Sequence, residues 1–117
     1  MNDIVRKDSN ERLSRIVIHG NTVYVAGVTS SAEGGIAAQT RDVLAKIDGY
    51  LARADSDKTR LLSVQIWLKD IERDFAGMNA VWDTWLPKGV APARATVEAK
   101  LCEPEILVEL SVVAALP

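Results

Sequence analysis

The stretch RIVIHGNTVYVAGV, residues 15–28, decides the fold class of this chain. On both sides of Gly20 and Asn21, apolar residues alternate with other residues, which is the pattern of a strand with one buried face. Gly20 and Asn21 both tolerate the positive φ that a tight two-residue turn demands. The stretch therefore predicts a β-hairpin. Its core-facing positions are Ile16, Ile18, Val23 and Val25.

The rest of the chain switches between helical and extended patterns. The predicted elements after the hairpin are a helix over residues 36–53, a strand over 59–69, a second helix over 75–86, and two strands over 93–101 and 105–115. A short additional strand is predicted near residues 4–7. This order predicts an α+β fold with both helices on one face of a mixed sheet, in a single domain over residues 1–117. The second sheet face then needs water, a ligand or another subunit.

Two of these elements carry predictions about which side chains enter the core. In the third strand, alternation places on one face Leu62, Val64, Ile66 and Leu68. In the second helix, the apolar stripe consists of Phe75, Met78, Trp82 and Trp85. Packing of the helix on the sheet explains this stripe better than a base-stacking platform does, while Trp67 is a candidate subunit contact. The charged run 69–74 is predicted to be a solvated loop that supplies the helix N-cap.

Composition narrows the class of protein. With 48% hydrophobic and 26% charged residues among 117, the chain resembles an ordinary globular domain. Its net charge of −2 and scattered basic residues argue against non-specific nucleic-acid binding. One histidine and one cysteine argue against a conventional zinc site. The lone cysteine, the lack of a leader-like stretch in residues 1–7 and the absence of apolar runs near ~20 residues predict a cytoplasmic protein.

The last two strands hold the side chains that suggest chemistry. If they pair as a hairpin about residues 102–105, one face combines Arg94, Thr96 and Glu98 with Glu109, Ser111 and Val113. The opposite, core-facing set is then Ala95, Val97, Ala99, Val108, Leu110 and Val112. The pattern alone favours an ordinary solvated face with cross-strand ion pairs. The alternative is a site in which Arg94 clamps an anion and Glu109 polarises a water molecule.

Six segments, taken together, resemble the Rid (YjgF/YER057c) family of enamine/imine deaminases, and within it the YoaB-like branch. They are HGNTVYVAG (19–27), AAQTRDVLAKIDGYL (37–51), SVQIWLKD (63–70), DFAGMNAVWDTW (74–85), APARATVEA (91–99) and ILVELSVVA (106–114). The most telling feature is the PAR triplet, whose Arg94 is followed fifteen residues later by Glu109. The resemblance implies a chorismate-mutase-like fold and a homotrimer around a central barrel, with sites in the clefts between subunits.

The resemblance also implies an activity and roles for individual residues. Characterised members hydrolyse 2-enamino or 2-imino acids to 2-keto acids and ammonia, without a metal or an organic cofactor. Arg94 matches the arginine that binds the substrate carboxylate, and its planar fork suits that bidentate contact. Glu109 matches the glutamate that holds the attacking water. Asn79 matches an asparagine of the site, and Gly27 a glycine whose backbone approaches the ligand.

Two of these matches have structural alternatives, and the family pattern is broken elsewhere. Asn79 is also explained by helix capping or a core hydrogen bond, and Gly27 by a strand bulge. Leu13 stands where many deaminating members have an aromatic residue over the ligand. Thr96 replaces a cysteine associated with the site water, although its hydroxyl still hydrogen-bonds a water. The segment between Asn79 and Arg94 is about two residues shorter than in the best-known deaminases.

Two reactive side chains are left outside the site, and two further functions stay open. His19 lies at the hairpin turn and is predicted to be a surface residue rather than a base. Cys102 has no visible basic partner and is predicted to be an inert thiol. The first further function is a non-catalytic protein that binds a small carboxylate in the same cleft. The second is an RNA-directed role as a translation inhibitor or ribonuclease.

Overall fold

The computed structural model describes residues 3–117. Met1 and Asn2 lie outside the described residues. The prediction of a single domain over residues 1–117 and the prediction of an N-terminus without a leader both include these two residues. The elements are β1 (Ile4–Ser9), β2 (Ser14–His19), β3 (Thr22–Val28), α1 (Gly35–Arg53), β4 (Leu61–Leu68), α2 (Ile71–Trp85), β5 (Ala93–Glu98) and β6 (Val108–Ala115). A 3-10 turn, Lys58–Arg60, precedes β4. The predicted order of elements is confirmed, including the additional first strand.

The six strands form one mixed sheet in the order β1-β2-β3-β6-β4-β5. Four neighbouring pairs are antiparallel, and β4 and β5 alone run parallel. A parallel pair needs a crossover connection, and α2 supplies it between β4 and β5. α1 similarly connects β3 to β4, with β6 inserted between those two strands. The α+β class with both helices on one sheet face is confirmed.

The β2–β3 hairpin forms where the alternation predicts it. His19 pairs with Thr22 and Ile16 with Val25, so the turn consists of Gly20 and Asn21. Gly20 adopts a φ of +60°, which a residue with a side chain rarely takes, whereas Asn21 does not use a positive φ.

The core lies between the helices and one face of the sheet. Alternate residues of β4 and β6 enter it together with one stripe of each helix. Among its most buried members are Ile16, Val43, Leu44, Ile47, Leu51, Ile66, Leu68, Met78 and Leu110, each with at most 1% of its surface exposed. Truncating such a side chain to alanine costs about 2–5 kcal/mol, so this layer fixes the elements that carry the polar residues described below.

Gln39 of α1 holds the start of β6 in place. Its side chain is buried, with only 4% of the residue exposed. Its Nε2 donates to the carbonyl of Glu105 at 2.8 Å, and its Oε1 accepts from the amide N–H of Leu107 at 2.8 Å. The side chain thus pairs with the backbone as a neighbouring strand would, just before β6 begins.

The core predictions for Leu62 and Phe75 are wrong. Leu62 is 50% exposed because the pairing of β4 with β6 shifts register between Leu61 and Ser63, and Leu61 enters the core instead. Phe75 is 41% exposed, although Met78 and Trp82 of the same stripe are buried. α2 also begins four residues earlier than predicted, at Ile71, because the Asp70 carboxylate caps it by accepting from the amide of Arg73 at 3.1 Å.

The predicted hairpin of the last two strands is also wrong. β5 and β6 are not neighbours, since β4 lies between them and pairs with both. The chain leaves α2 at the sheet edge and lays β5 there, and segment 99–107 then passes the end of β4 to reach β6. As a consequence, Ala95 and the 46%-exposed Val97 are not core residues, whereas Val108, Leu110 and Val112 are.

Among residues 3–117, no element covers the sheet face opposite the helices. This face carries several half-buried or exposed apolar side chains, namely Val17, Tyr24, Trp67, Val97 and Val113. His19, the last residue of β2, is exposed, as predicted. Within residues 3–117, no helix has the length and apolar character needed to cross a membrane.

Candidate functional site

Arg94, at the start of the edge strand β5, lies on the helix-covered face of the sheet. It pairs with Val64 of β4, whose side chain is in the core, and paired residues of neighbouring strands point to the same face. Its Cζ lies 5.3 Å from the centroid of the Trp82 ring on α2. This is a cation–π contact, so the aromatic face supports a half-buried guanidinium.

Trp82 is itself held by a second tryptophan. The Trp82 and Trp85 ring centroids are 5.4 Å apart with a 49° angle between the planes. The Trp85 Nε1 donates to Asp48 of α1 at 3.0 Å, and the Lys58 Nζ lies 5.1 Å from the Trp85 ring. The support of Arg94 therefore extends through α2 to α1.

A cavity of about 400 Å³ opens beside the Arg94 guanidinium. Its lining consists of Asn79, Trp82, Asp83, Ala91, Pro92 and Arg94. No carboxylate of residues 3–117 lies within 4.0 Å of Arg94, so its fork is free to bind an anion from solution. Asn79, which the sequence analysis assigned to the site, shares this cavity. Because Asp70 is the N-cap of α2, the capping explanation of Asn79 does not hold.

Thr96 lies two residues further along β5, on the same face as Arg94. It lines a second cavity of about 480 Å³ together with Ile71, Glu72 and Phe75 of α2. The Thr96 Oγ1 atom is buried and has no hydrogen-bond partner among the described residues. An unpaired buried hydroxyl is costly, so this oxygen is available to a small ligand or a water molecule.

Glu109 lies on the other side of the sheet, where it pairs with Trp67 of β4. Gly27 of β3 sits next to it, at the bulge where the pairing with β6 shifts register between Val25 and Val28. A Cβ on Gly27 would overlap the Glu109 carboxylate, so only glycine permits this approach. The bulge expected as the structural explanation of Gly27 is confirmed, and it serves a contact with the second predicted site residue.

Arg15 holds the backbone at this bulge, a role that no pattern in the sequence indicates. Its Nη2 donates to the Gly27 carbonyl at 2.7 Å, and its Cζ lies 5.3 Å from the Tyr50 ring. The alternation of β2 placed Arg15 on a strand but indicated nothing about a partner. Asp83 was missed as well, although its position one helical turn after Asn79 is a signal that could have found it.

Leu13 lies apart from both groups, in the turn between β1 and β2. The Oδ1 of Asn10 shapes that turn by accepting from the amides of Arg12, at 2.7 Å, and Leu13, at 3.0 Å. The Leu13 side chain is 43% exposed.

Two clusters on opposite sheet faces thus replace the single predicted one. Arg94, Asn79 and Thr96 lie between α2 and β5, whereas Glu109 and Gly27 lie on the uncovered face. The prediction that Arg94 and Glu109 share a face is wrong for one chain, because β4 separates β5 from β6 and the register alternates their side chains. Across residues 3–117, no three His, Cys, Asp or Glu side chains are placed to hold a metal ion.

Comparison with known proteins identifies the family. A family model described as Endoribonuclease L-PSP matches residues 4–116. The RutC family protein YoaB of Escherichia coli K12 is 44% identical over 112 residues, covering 96% of this chain and 97% of that protein. A solved YjgF-family protein of Neisseria meningitidis has a TM-score of 0.95 and 40% identity, covering 98% of this chain and 96% of the other.

A solved YjgF/YER057c/UK114-family protein of Mycobacterium tuberculosis has a TM-score of 0.86 and 31% identity, covering 99% of this chain and 100% of the other. Both the sequence match and the fold match thus run along nearly the whole chain. The resemblance drawn from the six sequence segments is confirmed, and the chain belongs to the Rid family, which is also known by its YjgF and RutC members.

Proposed function

We propose that this protein hydrolyses 2-imino and 2-enamino acids to 2-keto acids and ammonia. The observation that carries the proposal is the Arg94 guanidinium, which rests on Trp82, lines a cavity of about 400 Å³ and has no carboxylate partner within residues 3–117. Such a guanidinium suits the planar carboxylate of a 2-imino or 2-enamino acid. The side chain of Asn79 offers a second hydrogen bond in the same cavity. The reaction requires no cofactor.

The chemistry needs positioning more than a strong nucleophile. With the substrate carboxylate on Arg94, water adds to the electrophilic carbon of the protonated imine while Glu109 accepts a proton from that water. Glu109 then returns the proton to the nitrogen of the carbinolamine, and the C–N bond breaks with loss of ammonia. The keto group forms as Glu109 accepts the remaining proton of the carbinol hydroxyl, which it then releases to solvent. The buried Thr96 hydroxyl offers a hydrogen bond to the water or to the substrate.

The separation of Arg94 and Glu109 supports a site shared between protomers. Within one chain the two side chains point to opposite sheet faces. The uncovered face carries Tyr24 and Val97, each 46% exposed, which favours its burial against other copies. In the proposed homotrimer, Arg94, Asn79 and Thr96 of one protomer face Glu109, Gly27 and Leu13 of its neighbour. A cytoplasmic location fits this role, because pyridoxal-phosphate enzymes release such imines there.

A coupled assay tests the activity. An amino-acid oxidase generates 2-imino acids, and semicarbazide traps the fraction that escapes hydrolysis. We expect the wild-type protein to lower semicarbazone formation, Arg94→Ala to lose this effect, and Arg94→Lys to recover little of it because an ammonium lacks the planar fork. Arg41→Ala, which removes an exposed arginine of α1, is the matched control. Full activity of Arg94→Ala would contradict the assignment.

Mixing of inactive subunits tests the shared site. If Arg94 and Glu109 of one site come from different protomers, mixed trimers of Arg94→Ala and Glu109→Gln subunits contain some sites with both native residues. Unfolding and refolding the two variants together should therefore restore part of the activity, which neither variant has alone. Inactive mixed trimers, or a wild-type monomer in light scattering, would contradict the shared site.

A non-catalytic role as a binder of small carboxylates uses the same cavity. It is favoured by the departures at Leu13 and Thr96, where the family usually has an aromatic residue and a cysteine. It predicts that 2-keto acids bind to the wild type and not to Arg94→Ala, while neither protein changes semicarbazone formation.

An RNA-directed role is suggested by the matching family model, which is described as Endoribonuclease L-PSP. Such a role predicts RNA binding that weakens steeply with salt, because phosphate contacts release counterions. The net charge of −2 argues against it. A filter-binding titration of single-stranded RNA at 50 and 200 mM salt decides: measurable, salt-dependent binding supports the role, and no binding at either salt removes it.

A further inference from the structure

Three successive carbonyl groups of β3, those of Val25, Ala26 and Gly27, accept hydrogen bonds from side chains at the bulge. The pairing of β3 with β6 shifts register in this segment. The Ser111 Oγ donates to the Val25 carbonyl at 3.1 Å. The Arg15 Nη2 donates to the Gly27 carbonyl at 2.7 Å and to the Ala26 carbonyl at 3.4 Å. Side chains from the two neighbouring strands therefore hold the backbone where the bulge interrupts the ladder.

The Arg15 guanidinium has no carboxylate partner. Within residues 3–117, no carboxylate oxygen lies within 4.0 Å of it. Asp8 lies across from Arg15 in the pairing of β1 with β2, but its carboxylate forms an ion pair with Arg53. The Arg15 Cζ lies 5.3 Å from the centroid of the Tyr50 ring. The charge of Arg15 is thus directed at the bulge carbonyls, and such charge-assisted hydrogen bonds are about twice as strong as neutral ones.

The Gly27 backbone in turn forms the wall against which the Glu109 side chain rests. A Cβ on Gly27 would overlap the Glu109 carboxylate, so a small movement of this backbone displaces the carboxylate or leaves a gap beside it. Arg15 does not approach Glu109 within ion-pair distance and does not line the Arg94 cavity. Its action on the reacting groups is therefore indirect, through the Gly27 carbonyl.

We propose that Arg15 is a positioning residue, which fixes the Gly27 backbone and thereby sets the place of the Glu109 carboxylate that activates water. This inference rests on the proposed function, because it takes Glu109 as the group that accepts the proton. The two arginines then have separate tasks. Arg94 binds the substrate, whereas Arg15 binds the protein's own backbone beside the base. Loss of Arg15 should therefore slow turnover without weakening substrate binding.

Steady-state kinetics test this separation of tasks. Arg15→Met keeps the stem of the side chain and removes its donors. We expect it to lower kcat about tenfold or more, because displacing a reacting group by 1 Å can cost on the order of 10²-fold in rate. KM should stay within about twofold of wild type, because Arg94 still binds the carboxylate. Arg15→Lys keeps a charged donor and should recover part of the loss. Arg6→Met, which removes an exposed arginine of β1, is the matched control.

NMR of the two carbonyl-type carbons reports the contact independently of turnover. In protein labelled with carbon-13, the Gly27 carbonyl resonance should move upfield in Arg15→Met, because this carbonyl loses a donor. The resonance of the Glu109 carboxyl carbon should move as well, because its surroundings shift with the Gly27 backbone. A residue that only stabilised the fold would lower the melting temperature and leave the Glu109 resonance unchanged. Circular dichroism gives the folded fraction to which kcat is normalised.

The outcomes separate this inference from the proposed function. A wild-type protein without deaminase activity overturns the proposed function and the inference with it. If the wild type is active and Arg15→Met keeps its kcat, or loses kcat with an unchanged Glu109 resonance, only the inference is overturned. Should Arg15→Met not fold, Tyr50→Leu replaces it. Loss of the ring beside the guanidinium should lower kcat roughly 2- to 5-fold, whereas Tyr50→Phe should match the wild type. Equal kcat values of the two Tyr50 variants would overturn the inference.

Discussion

The Glu109 carboxylate occupies the space in which a side chain on Gly27 would begin. A Cβ at Gly27 would lie 3.1 Å from the Glu109 Cδ and would overlap its Oε2. The two residues belong to neighbouring strands, and the bulge between Val25 and Val28 brings them together. The absence of a side chain at position 27 therefore determines where the carboxylate lies.

Gly27→Ala should abolish most of the proposed deaminase activity while the fold persists. Gly27 does not adopt a positive φ, so the backbone accepts alanine and the strain falls on the Glu109 side chain. Displacing a reacting group by about 1 Å can cost on the order of 10²-fold in rate. The semicarbazide assay measures the loss. Gly49→Ala is the control, since a Cβ there meets nothing within 4 Å; equal activity of the two variants would show that Glu109 does not need this position.

Trp82→Leu should weaken substrate binding more than turnover. The variant loses the cation–π contact that supports Arg94, which is worth about 0.5–2 kcal/mol and corresponds to a rise in KM of roughly 2- to 30-fold. Trp82→Phe keeps an aromatic face and should recover much of the loss. Steady-state kinetics that separate KM from kcat provide the test. A fall in kcat alone in Trp82→Leu would mean that the ring does not position Arg94 for binding.

Gln39→Met should destabilise the protein through the start of β6. The change keeps the length of the side chain but leaves the Glu105 carbonyl and the Leu107 amide unpaired, at a cost of about 1–3 kcal/mol for each buried group. Gln39→Glu retains an acceptor for Leu107 but turns a buried carboxylate oxygen toward the Glu105 carbonyl, so it should cost at least as much. Urea unfolding at one protein concentration measures both. If the free energy of unfolding of Gln39→Met lies within about 0.5 kcal/mol of the wild-type value, the two Gln39 hydrogen bonds do not stabilise the start of β6.

Ser30→Ala should raise the pKa of Asp42. The Ser30 hydroxyl donates to the Asp42 Oδ2 at 2.6 Å and, opposed by burial and aided by Lys46, holds the pKa of this carboxyl below its usual value. A carboxyl whose pKa is lowered by folding adds stability above its unfolded pKa of about 3.9, and this is lost as the pH falls through the folded value. An NMR titration of the Asp42 carboxyl carbon measures the shift. An unchanged pKa in Ser30→Ala would assign the effect to Lys46 instead.

The elements of this fold follow from local patterns, whereas their neighbours in the sheet do not. The alternation around Gly20 and the helical periodicity of residues 36–53 are properties of short stretches, and both predictions are confirmed. The pairing of β5 with β4 depends on α2, which returns the chain parallel to the strand it left. A short connection between two strands favours a hairpin, and nothing in segment 99–107 indicates that it passes the end of another strand.

The candidate site shows the same division between local and long-range information. Arg94, Thr96, Asn79, Gly27 and Glu109 could be named from their motifs, and the structure brings Asn79 to Arg94 and Gly27 to Glu109. The sheet face on which each side chain lies depends on the order of the strands. Sequence periodicity does not determine that order, so it could not predict that Arg94 and Glu109 lie on opposite faces. The exposure of Leu62 similarly follows from one register shift in the pairing of β4 with β6, and no residue type in the sequence indicates that shift.

The position of β6 between β3 and β4 has a consequence for the folding of the chain during its synthesis on the ribosome. Until residues 108–115 have emerged from the exit tunnel, β3 and β4 each present an edge without a partner, although both have already been made. Pairings as distant as Thr22 with Ala115 also close slowly, because the intervening chain must first be ordered. We therefore expect the nascent chain to complete its sheet only after synthesis of β6, with two open edges that favour aggregation in the meantime.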